Sequence, residues 1–232
     1  MSNREDITDG FLAKNVKSGL VYTEVLGWID LGHARGDDIM KLWSQFLRGE
    51  SQREPFYDVT YSQSMVGGRN LVRMGKFIKW RIRRGRSFSE IKSIALTMMM
   101  TLARKFEAFQ AAFPNNLVTD SGFSGEDLVS DLLGFYRAMM CTNYFPRLRA
   151  VSKEEALKRW DFYGKIGNWK NETFSPLLFP DPERFPNAKP HKVPLPAFLQ
   201  VIRPYRDWQS GNVGIASKEG NFMQSGKGKP MF

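Results

Sequence analysis

Hydrophobic and polar positions repeat with two different periods along this chain, and these periods predict strands as well as helices. The segment "SGLVYTEVLGWIDLGH" is rich in β-branched and aromatic residues, which predicts one or two short strands ending at His33. Residues 55–85 predict two further strands joined by a turn at Gly67 and Gly68. These strands would form a small antiparallel sheet.

Apolar residues recur at helical spacing in four other segments. They cover residues 36–49, a long segment that opens with a Ser87–Glu90 capping box and is closed by Pro114, residues 126–140, and residues 152–167. The apolar positions of 126–140 cover two sides, so we expect that helix to be buried. The fold class predicted is therefore α+β, with a small antiparallel sheet packed against several helices.

The composition changes at about residue 168. Most of the prolines follow this point, and the last twenty or so residues are rich in glycine. Because proline interrupts regular structure, we predict a single α+β domain over residues 1–167 and an extended arm and tail over 168–232 that pack on it. The glycine-rich end is expected to be loose.

Charge and cysteine content narrow the function classes. The net charge is +10 over 232 residues, which favours anionic partners such as nucleic acid, acidic lipid surfaces or bacterial envelope polymers. A single cysteine excludes an internal disulfide framework and a cysteine-rich zinc site. No run approaches the roughly 18–20 apolar residues of a membrane span, and no secretory signal is evident, so we expect a soluble protein without a transmembrane segment.

A basic stripe lies on the second predicted strand, where Lys79, Arg81 and Arg83 alternate with apolar residues. One interpretation is a surface that binds nucleic acid or another anionic polymer. The other, which we favour, is the solvated face of an antiparallel sheet, because no aromatic residue lies between these charges to stack on bases.

A polar seam runs along the predicted helix over residues 126–140. Ser124 has the position of an N-cap, and one acidic residue in the first turn suits the helix dipole. These roles do not explain Asp127, Ser130 and Asp131, which continue along an otherwise apolar helix. A polar seam on a buried helix indicates a water cluster, a partner hydroxyl or a site.

His33 is one of two histidines and follows the first predicted strands. Asp30 would point to the opposite face of a strand, so we expect the carboxylate that orients His33 to come from Glu126 or Asp127. Spacing alone favours a hydrogen-bonded structural histidine. The second histidine, His191, lies on the proline-rich arm, where we expect it to be exposed.

The segments "GWIDLGHARGD", "VTYSQSM", "KFEAFQ" and "SGFSGEDLVSDLLG" occur in an order similar to that in a family of uncharacterised bacterial envelope proteins, many of them lipoproteins. The resemblance spans roughly residues 20–140. This chain departs from the family pattern at Gly36, where Asp is usual, at Asp131, where Asn is usual, and in an expected absence of the lipoprotein leader. Site residues implied by the resemblance are Asp30, His33, Arg35, Tyr61, Gln63, Glu107, Ser124, Glu126, Asp127 and Ser130.

A looser resemblance concerns architecture. A strand-borne histidine and a nucleophile at the start of a buried helix resemble the layout of papain-like hydrolases, whose permuted bacterial relatives include enzymes that cleave peptidoglycan peptides. Soluble toxins of this kind are similar to effectors of type VI secretion. The resemblance implies a peptidoglycan amidase or endopeptidase, exported without a signal peptide to a target periplasm, with a secretion carrier and a cognate immunity protein as partners. A cytoplasmic location is the alternative.

The catalytic group stays open between two options. Cys141 lies at the C-terminal end of its helix, where the dipole disfavours a thiolate, so we predict a buried apolar residue rather than a nucleophile. One option is Ser124 as the nucleophile with His33. The other is a metal-binding or water-activating site built from His33, Glu126 and Asp127, with Glu107 as a further ligand. We expect no cofactor, although a divalent metal belongs to the second option.

Three functions follow from these patterns. The first is an envelope hydrolase that uses His33 with the turn formed by residues 124–127. The second is a non-catalytic basic module that binds an anionic polymer, cell wall or nucleic acid, through Lys79, Arg81 and Arg83. The third is a structural or adaptor domain in which the polar seam is a satisfied internal network.

Overall fold

The chain has an α+β fold in the computed structural model, which describes residues 2–67, 72–112 and 123–225. The α+β class is as the sequence predicts, but this described part contains five α-helices and two small sheets, where four helices and one sheet were predicted. None of the described helices is long and apolar enough to span a membrane. The elements are β1 (Leu20–Thr23), β2 (Gly27–Asp30), α1 (Asp37–Ser51), β3 (Phe56–Gly67), β4 (Val72–Arg83), α2 (Phe88–Ala112), α3 (Asp127–Met140), α4 (Phe145–Leu148), α5 (Lys153–Tyr163), β5 (Leu177–Leu178), β6 (His191–Lys192) and β7 (Val213–Ser225).

The chain divides into two compact units. Unit 1 comprises Met1–Gly36 and Thr119–Val201, and unit 2 comprises Asp37–Val118 and Ile202–Phe232. Unit 1 therefore carries β1, β2, α3, α4, α5, β5 and β6. Unit 2 carries α1, β3, β4, α2 and β7.

Unit 1 is organised around a sheet with the strand order β1-β2-β5-β6. Strands β1 and β2 are antiparallel, and β2 pairs in parallel with β5 through Gly27 and Leu177. Gly27 has φ +74°, and a Cβ there would lie 2.1 Å from the Leu177 carbonyl oxygen, so the close pairing requires glycine. Trp28 on β2 packs edge to face against Trp160 of α5 in the core.

The proline-rich residues 169–201 of unit 1 cover this core with little regular structure. Their two strands have two residues each. The Tyr22 hydroxyl on β1 accepts a hydrogen bond from Phe179 N at 2.8 Å and donates one to Phe179 O at 2.7 Å. Phe179 is buried. Beyond its short β5–β6 pairing, the arm is thus held by a tyrosine that bonds both backbone groups of Phe179.

Unit 2 is built on the antiparallel sheet β3-β4-β7. Ile78, Trp80 and Ile82 of β4 are buried, as the alternation predicts. Helix α2 packs on this sheet and begins with the predicted capping box, in which Ser87 N donates to Glu90 Oε2 and Glu90 N donates to Ser87 Oγ. The predicted turn residue Gly68 and the predicted helix end at Pro114 lie outside the described residues.

The expectation of a loose glycine-rich end is wrong for residues 213–225. They form β7, which pairs with β4 from Val213 opposite Ile82 to Ser225 opposite Val72. Two glycines, Gly214 and Gly220, lower the intrinsic strand preference of this segment. The ladder with β4 outweighs that preference, because it supplies backbone hydrogen bonds along most of the strand.

Candidate functional site

The turn that follows β2 sets the position of His33. The Asp30 carboxylate accepts hydrogen bonds from Gly32 N at 2.6 Å and from His33 N at 3.1 Å. This local bonding ends the strand at Asp30 and starts a 3-10 turn, His33–Arg35, which Gly36 ends with φ +70°. The prediction that His33 ends a strand was therefore wrong, because His33 is the first residue of a turn.

Helix α3 approaches this turn closely because both surfaces carry glycine. A Cβ on Gly134 would lie 2.5 Å from the His33 carbonyl oxygen, and a Cβ on Gly36 would lie 2.3 Å from the Gly134 carbonyl oxygen. Arg137, one turn further along α3, donates a hydrogen bond to the Ala34 carbonyl. Backbone contact of this kind brings the face of α3 around Gly134 against the histidine turn.

Asp131, one turn before Gly134 on α3, is the carboxylate that contacts the imidazole. His33 Nδ1 lies 2.8 Å from Asp131 Oδ1. The Asp131 side chain is 6% exposed, whereas the His33 side chain is 38% exposed. Because Nδ1 faces the carboxylate, Nε2 lies on the opposite side of the ring.

The acidic surroundings of His33 change its protonation. Burial lowers the pKa of His33, but the charge and hydrogen bond of Asp131, with the charges of Asp30 and Asp127, more than compensate. The net effect is a pKa well above the ordinary histidine value of 6.5. The shift favours the imidazolium form, in which Nδ1–H donates to Asp131.

Ser124 and Glu126 form a second, buried cluster. The Ser124 hydroxyl donates to Glu126 Oε2, and the Ser2 hydroxyl donates to Glu126 Oε1 at 2.8 Å. Glu126 is 2% exposed and Ser124 is 4% exposed. The hydrogen bonds of these two side chains join them to each other and to Ser2, and none of them reaches the His33 ring.

Ser130 connects the two clusters through the backbone. Its hydroxyl donates to the Glu126 carbonyl oxygen at 2.6 Å and accepts from Asp30 N at 2.9 Å. Ser130 is fully buried. The polar seam of α3 thus joins the end of β2, which carries the histidine turn, to the start of the helix.

The structure brings together part of the predicted set. The carboxylate that orients His33 is Asp131, so the prediction of Glu126 or Asp127 for that role was wrong. Asp127 is half-buried one turn before Asp131 on α3, and its charge acts on His33. Arg35 is exposed in the turn. Three other residues implied by the resemblance belong to unit 2, namely Tyr61, Gln63 and Glu107.

Within unit 2, Tyr61 and Glu107 are buried and Gln63 is half-buried. The Tyr61 hydroxyl donates to Asp38 at the start of α1. The sequence did not select Asp131 as a site residue, although it lies on the polar seam. Asp131 lies three residues before Gly134, the helix glycine that contacts the turn, so the two residues share one face of α3. This spacing is the signal that would have identified Asp131.

The metal option and Cys141 have separate outcomes. Among residues 2–67, 72–112 and 123–225, no group of three or more His, Cys, Asp and Glu side chains is arranged to hold a metal ion. Cys141 is exposed, not buried as predicted, because α3 ends at Met140 and Cys141 has the left-handed φ of +47°. His191 is exposed on β6, as predicted.

The basic stripe of β4 contacts an acidic residue of β3. Asp58 lies 3.0 Å from Lys79 Nζ and 2.8 Å from Arg81 Nε, and these two bonds, the arginine one first, lower the pKa of Asp58. The Arg81 side chain is 61% exposed, and Arg83 is exposed as well. The stripe is therefore a solvated face that carries one internal counter-charge.

No protein-family model, no curated protein and no solved structure matches this chain.

Proposed function

We propose that this chain is a hydrolase that cleaves amide bonds in cell-wall peptidoglycan and uses His33, held by Asp131, for proton transfer. The 2.8 Å contact between Nδ1 and a buried carboxylate, with the ring itself 38% exposed, is the observation that carries the proposal. Here the carboxylate holds one nitrogen, and the exposed part of the ring is left for a substrate.

The raised pKa of His33 favours a general acid. Its imidazolium donates the Nε2 proton to the amide nitrogen as the carbon–nitrogen bond breaks. The protonated nitrogen then leaves as an amine. Water supplies the oxygen of the new carboxyl group, and a proton from that water restores the imidazolium. Asp131 stabilises the charged ring. Once the proton has left, Asp131 also holds the neutral tautomer in which Nδ1 keeps its hydrogen and Nε2 can accept a proton.

Ser124 is a poorer candidate than His33 for contact with a substrate. It is 4% exposed, and its hydroxyl proton is directed to Glu126 rather than to an imidazole. In the proposal, Ser124, Glu126 and Ser130 hold the start of α3 and the end of β2 in place. They are positioning residues for the His33–Asp131 pair.

Motif resemblance supports the choice of substrate. The segments that contain His33 and Glu126 are those that most resemble the bacterial envelope family, and the net charge of +10 suits an anionic wall. We infer that the protein reaches a target periplasm as an antibacterial effector, with a secretion carrier and an immunity protein as partners. A permuted papain-like fold, which the looser resemblance implies, belongs to the same proposal.

The test uses purified peptidoglycan sacculi and mass spectrometry of the fragments released. We expect His33→Gln to reduce the rate of release by roughly 10²- to 10⁴-fold, the usual contribution of a general acid or base. His191→Gln is the matched control, because His191 is exposed in the same unit, and its rate should equal that of the unsubstituted protein. Thermal unfolding of each variant checks that the fold is intact.

Two results would contradict the proposal. One is full activity of a folded His33→Gln variant. The other is the absence of any released fragment from the unsubstituted protein, which would remove peptidoglycan as the substrate. Growth of cells that carry the protein in the periplasm gives a second readout, in which His33→Gln should relieve toxicity and His191→Gln should not.

A further inference from the structure

The outer face of the β3-β4-β7 sheet carries aromatic rings as well as basic side chains. Strand alternation places Phe77 on the same face of β4 as Lys79 and Arg81, opposite the buried face of Ile78 and Trp80. Phe77 pairs directly with Gly220 of β7. No aromatic residue lies between Lys79, Arg81 and Arg83, as the sequence indicated, but Phe77 precedes Lys79 on the same face.

A second ring comes from β7. Phe222 pairs with Gly75 of β4, which has the parity of Phe77, so the two rings lie diagonally on one face. A Cβ added to Gly220 would be 2.3 Å from the Phe77 ring, and one added to Gly75 would be 2.5 Å from the Phe222 ring. Each phenyl ring thus lies across the glycine of the neighbouring strand, and each is half-buried.

The charge of this face is positive. Its described side chains on β4 include four basic residues, and Asp58 of β3 opposes them as an acidic residue. Asp58 engages two of the four, Lys79 and Arg81, while Arg81 stays 61% exposed. The neighbouring positions of β3 carry the small hydroxyl side chains of Thr60, Ser62 and Ser64, which project only a short distance from the sheet. The four basic residues are Arg73, Lys79, Arg81 and Arg83.

We propose that this outer face binds single-stranded nucleic acid, with Phe77 and Phe222 stacking on bases and the basic side chains contacting phosphates. Rings on an open sheet surface, flanked by cations, have the two properties that single-strand recognition uses. A double helix encloses its base faces, and acidic lipids and wall polymers have no base to stack, so they would use the charges alone. The proposal is independent of the hydrolase function and concerns unit 2 only.

Fluorescence anisotropy with labelled oligonucleotides of about 15 nucleotides tests the proposal. We expect oligothymidylate or oligouridylate to bind, and an abasic oligonucleotide of equal length and charge to bind at least about tenfold more weakly. A preference between the DNA and RNA probes identifies the sugar that the face accepts. Affinity should also fall with salt, with a slope of about −0.7 for each phosphate contact.

Variants of the rings and of the charges separate the two contributions. Phe77→Leu and Phe222→Leu keep an apolar side chain but remove the π-face, and each should weaken oligonucleotide binding about tenfold while leaving abasic binding unchanged. Phe88→Leu is the matched control, because Phe88 is 65% exposed on α2, which packs on the other face of the sheet. Its affinity should equal that of the unsubstituted protein.

Arg81→Gln should weaken all the anionic probes and reduce the salt slope by about 0.7. Arg206→Gln is its control, since Arg206 is exposed next to Tyr205, whose backbone bonds to α2. Equal affinity for the base-containing and abasic probes would overturn the proposal and leave a purely electrostatic surface. Absence of binding, or unchanged affinity in folded ring variants, would overturn it as well.

Discussion

The His33–Asp131 pair of unit 1 and the Arg81–Asp58 pair of unit 2 have the same separation but different surroundings. In both, a nitrogen lies 2.8 Å from a carboxylate oxygen. The Asp131 side chain is 6% exposed, whereas those of Asp58 and Arg81 are 25% and 61% exposed. Distance alone therefore does not distinguish a candidate proton-transfer group from a surface ion pair.

Burial makes the difference because it reduces the screening of the carboxylate charge. An attraction between exposed charges is weakened by water and salt, whereas the same attraction near a buried carboxylate is stronger. In unit 1 this affects a side chain whose ordinary pKa lies near neutrality, and the pKa of His33 is raised well above that value. In unit 2 both partners stay charged at any ordinary pH, and no protonation state changes.

Gly134→Ala should break the buried pair most severely. The added Cβ would lie 2.5 Å from the His33 carbonyl oxygen, where backbone must shift to make room. Alanine improves helix propensity by about 1 kcal/mol, but overpacking of this kind costs about 2–3 kcal/mol or more, so we expect net destabilisation. Chemical denaturation measures the change, and NMR of the imidazole nitrogens should show the His33–Asp131 contact weakened.

Gly167→Ala is the matched control for that substitution. Gly167 belongs to the same unit, and a Cβ there meets no atom within 4 Å. We expect its unfolding free energy to change by less than about 0.5 kcal/mol. Equal effects of the two substitutions would show that the glycine contact between α3 and the turn does not hold His33 in place.

Asp131→Asn should have the next largest effect, because it keeps the shape of the side chain and removes its charge. The pKa of His33, followed by NMR titration, should fall toward the ordinary value of 6.5. A hydrogen bond to a charged group contributes about 1.5–3 kcal/mol, and the exposure of His33 reduces this to about 1–2 kcal/mol. An unchanged pKa would mean that Asp131 does not control the protonation of the ring.

The stability lost in Asp131→Asn should depend on pH with a defined sign. Because the folded-state pKa of His33 is raised, the pair contributes its full stability below the unfolded-state pKa of about 6.5. That contribution is lost as the pH rises through the folded-state pKa. The difference in unfolding free energy between the two proteins should therefore be largest in mild acid and shrink in alkali.

Much of the fold could be predicted because its signals are local. The capping box at Ser87 and the alternation along β4 depend on neighbours a few residues apart. Strand β7 could not be predicted in this way. Its glycines lower the strand propensity of the segment, and its partner β4 is more than a hundred residues away in the sequence. Long-range pairing outweighed local composition there.

The candidate site was predictable to the level of the elements, not of the contact. His33 and the polar seam of α3 were found from sequence, but the choice among the seam carboxylates depends on how the helix meets the turn. Gly36 and Gly134 set that approach, and their contact is tertiary. The turn itself had a local signal that was missed, since Asp30 followed by Gly32 favours a side-chain-capped turn over a longer strand.

Asp58→Asn removes the carboxylate of the exposed ion pair and should have the smallest effect on stability. Solvent screens the Asp58 pairs, so we expect the unfolding free energy to fall by less than about 1 kcal/mol, and the pKa of His33 to stay unchanged. Removing this carboxylate also frees Lys79 and Arg81 from their counter-charge. Affinity of the outer face for oligonucleotides should then rise at low salt and return toward that of the unsubstituted protein as salt increases, because the gain is electrostatic. A loss of stability as large as that of Asp131→Asn would show that exposure does not separate the two pairs.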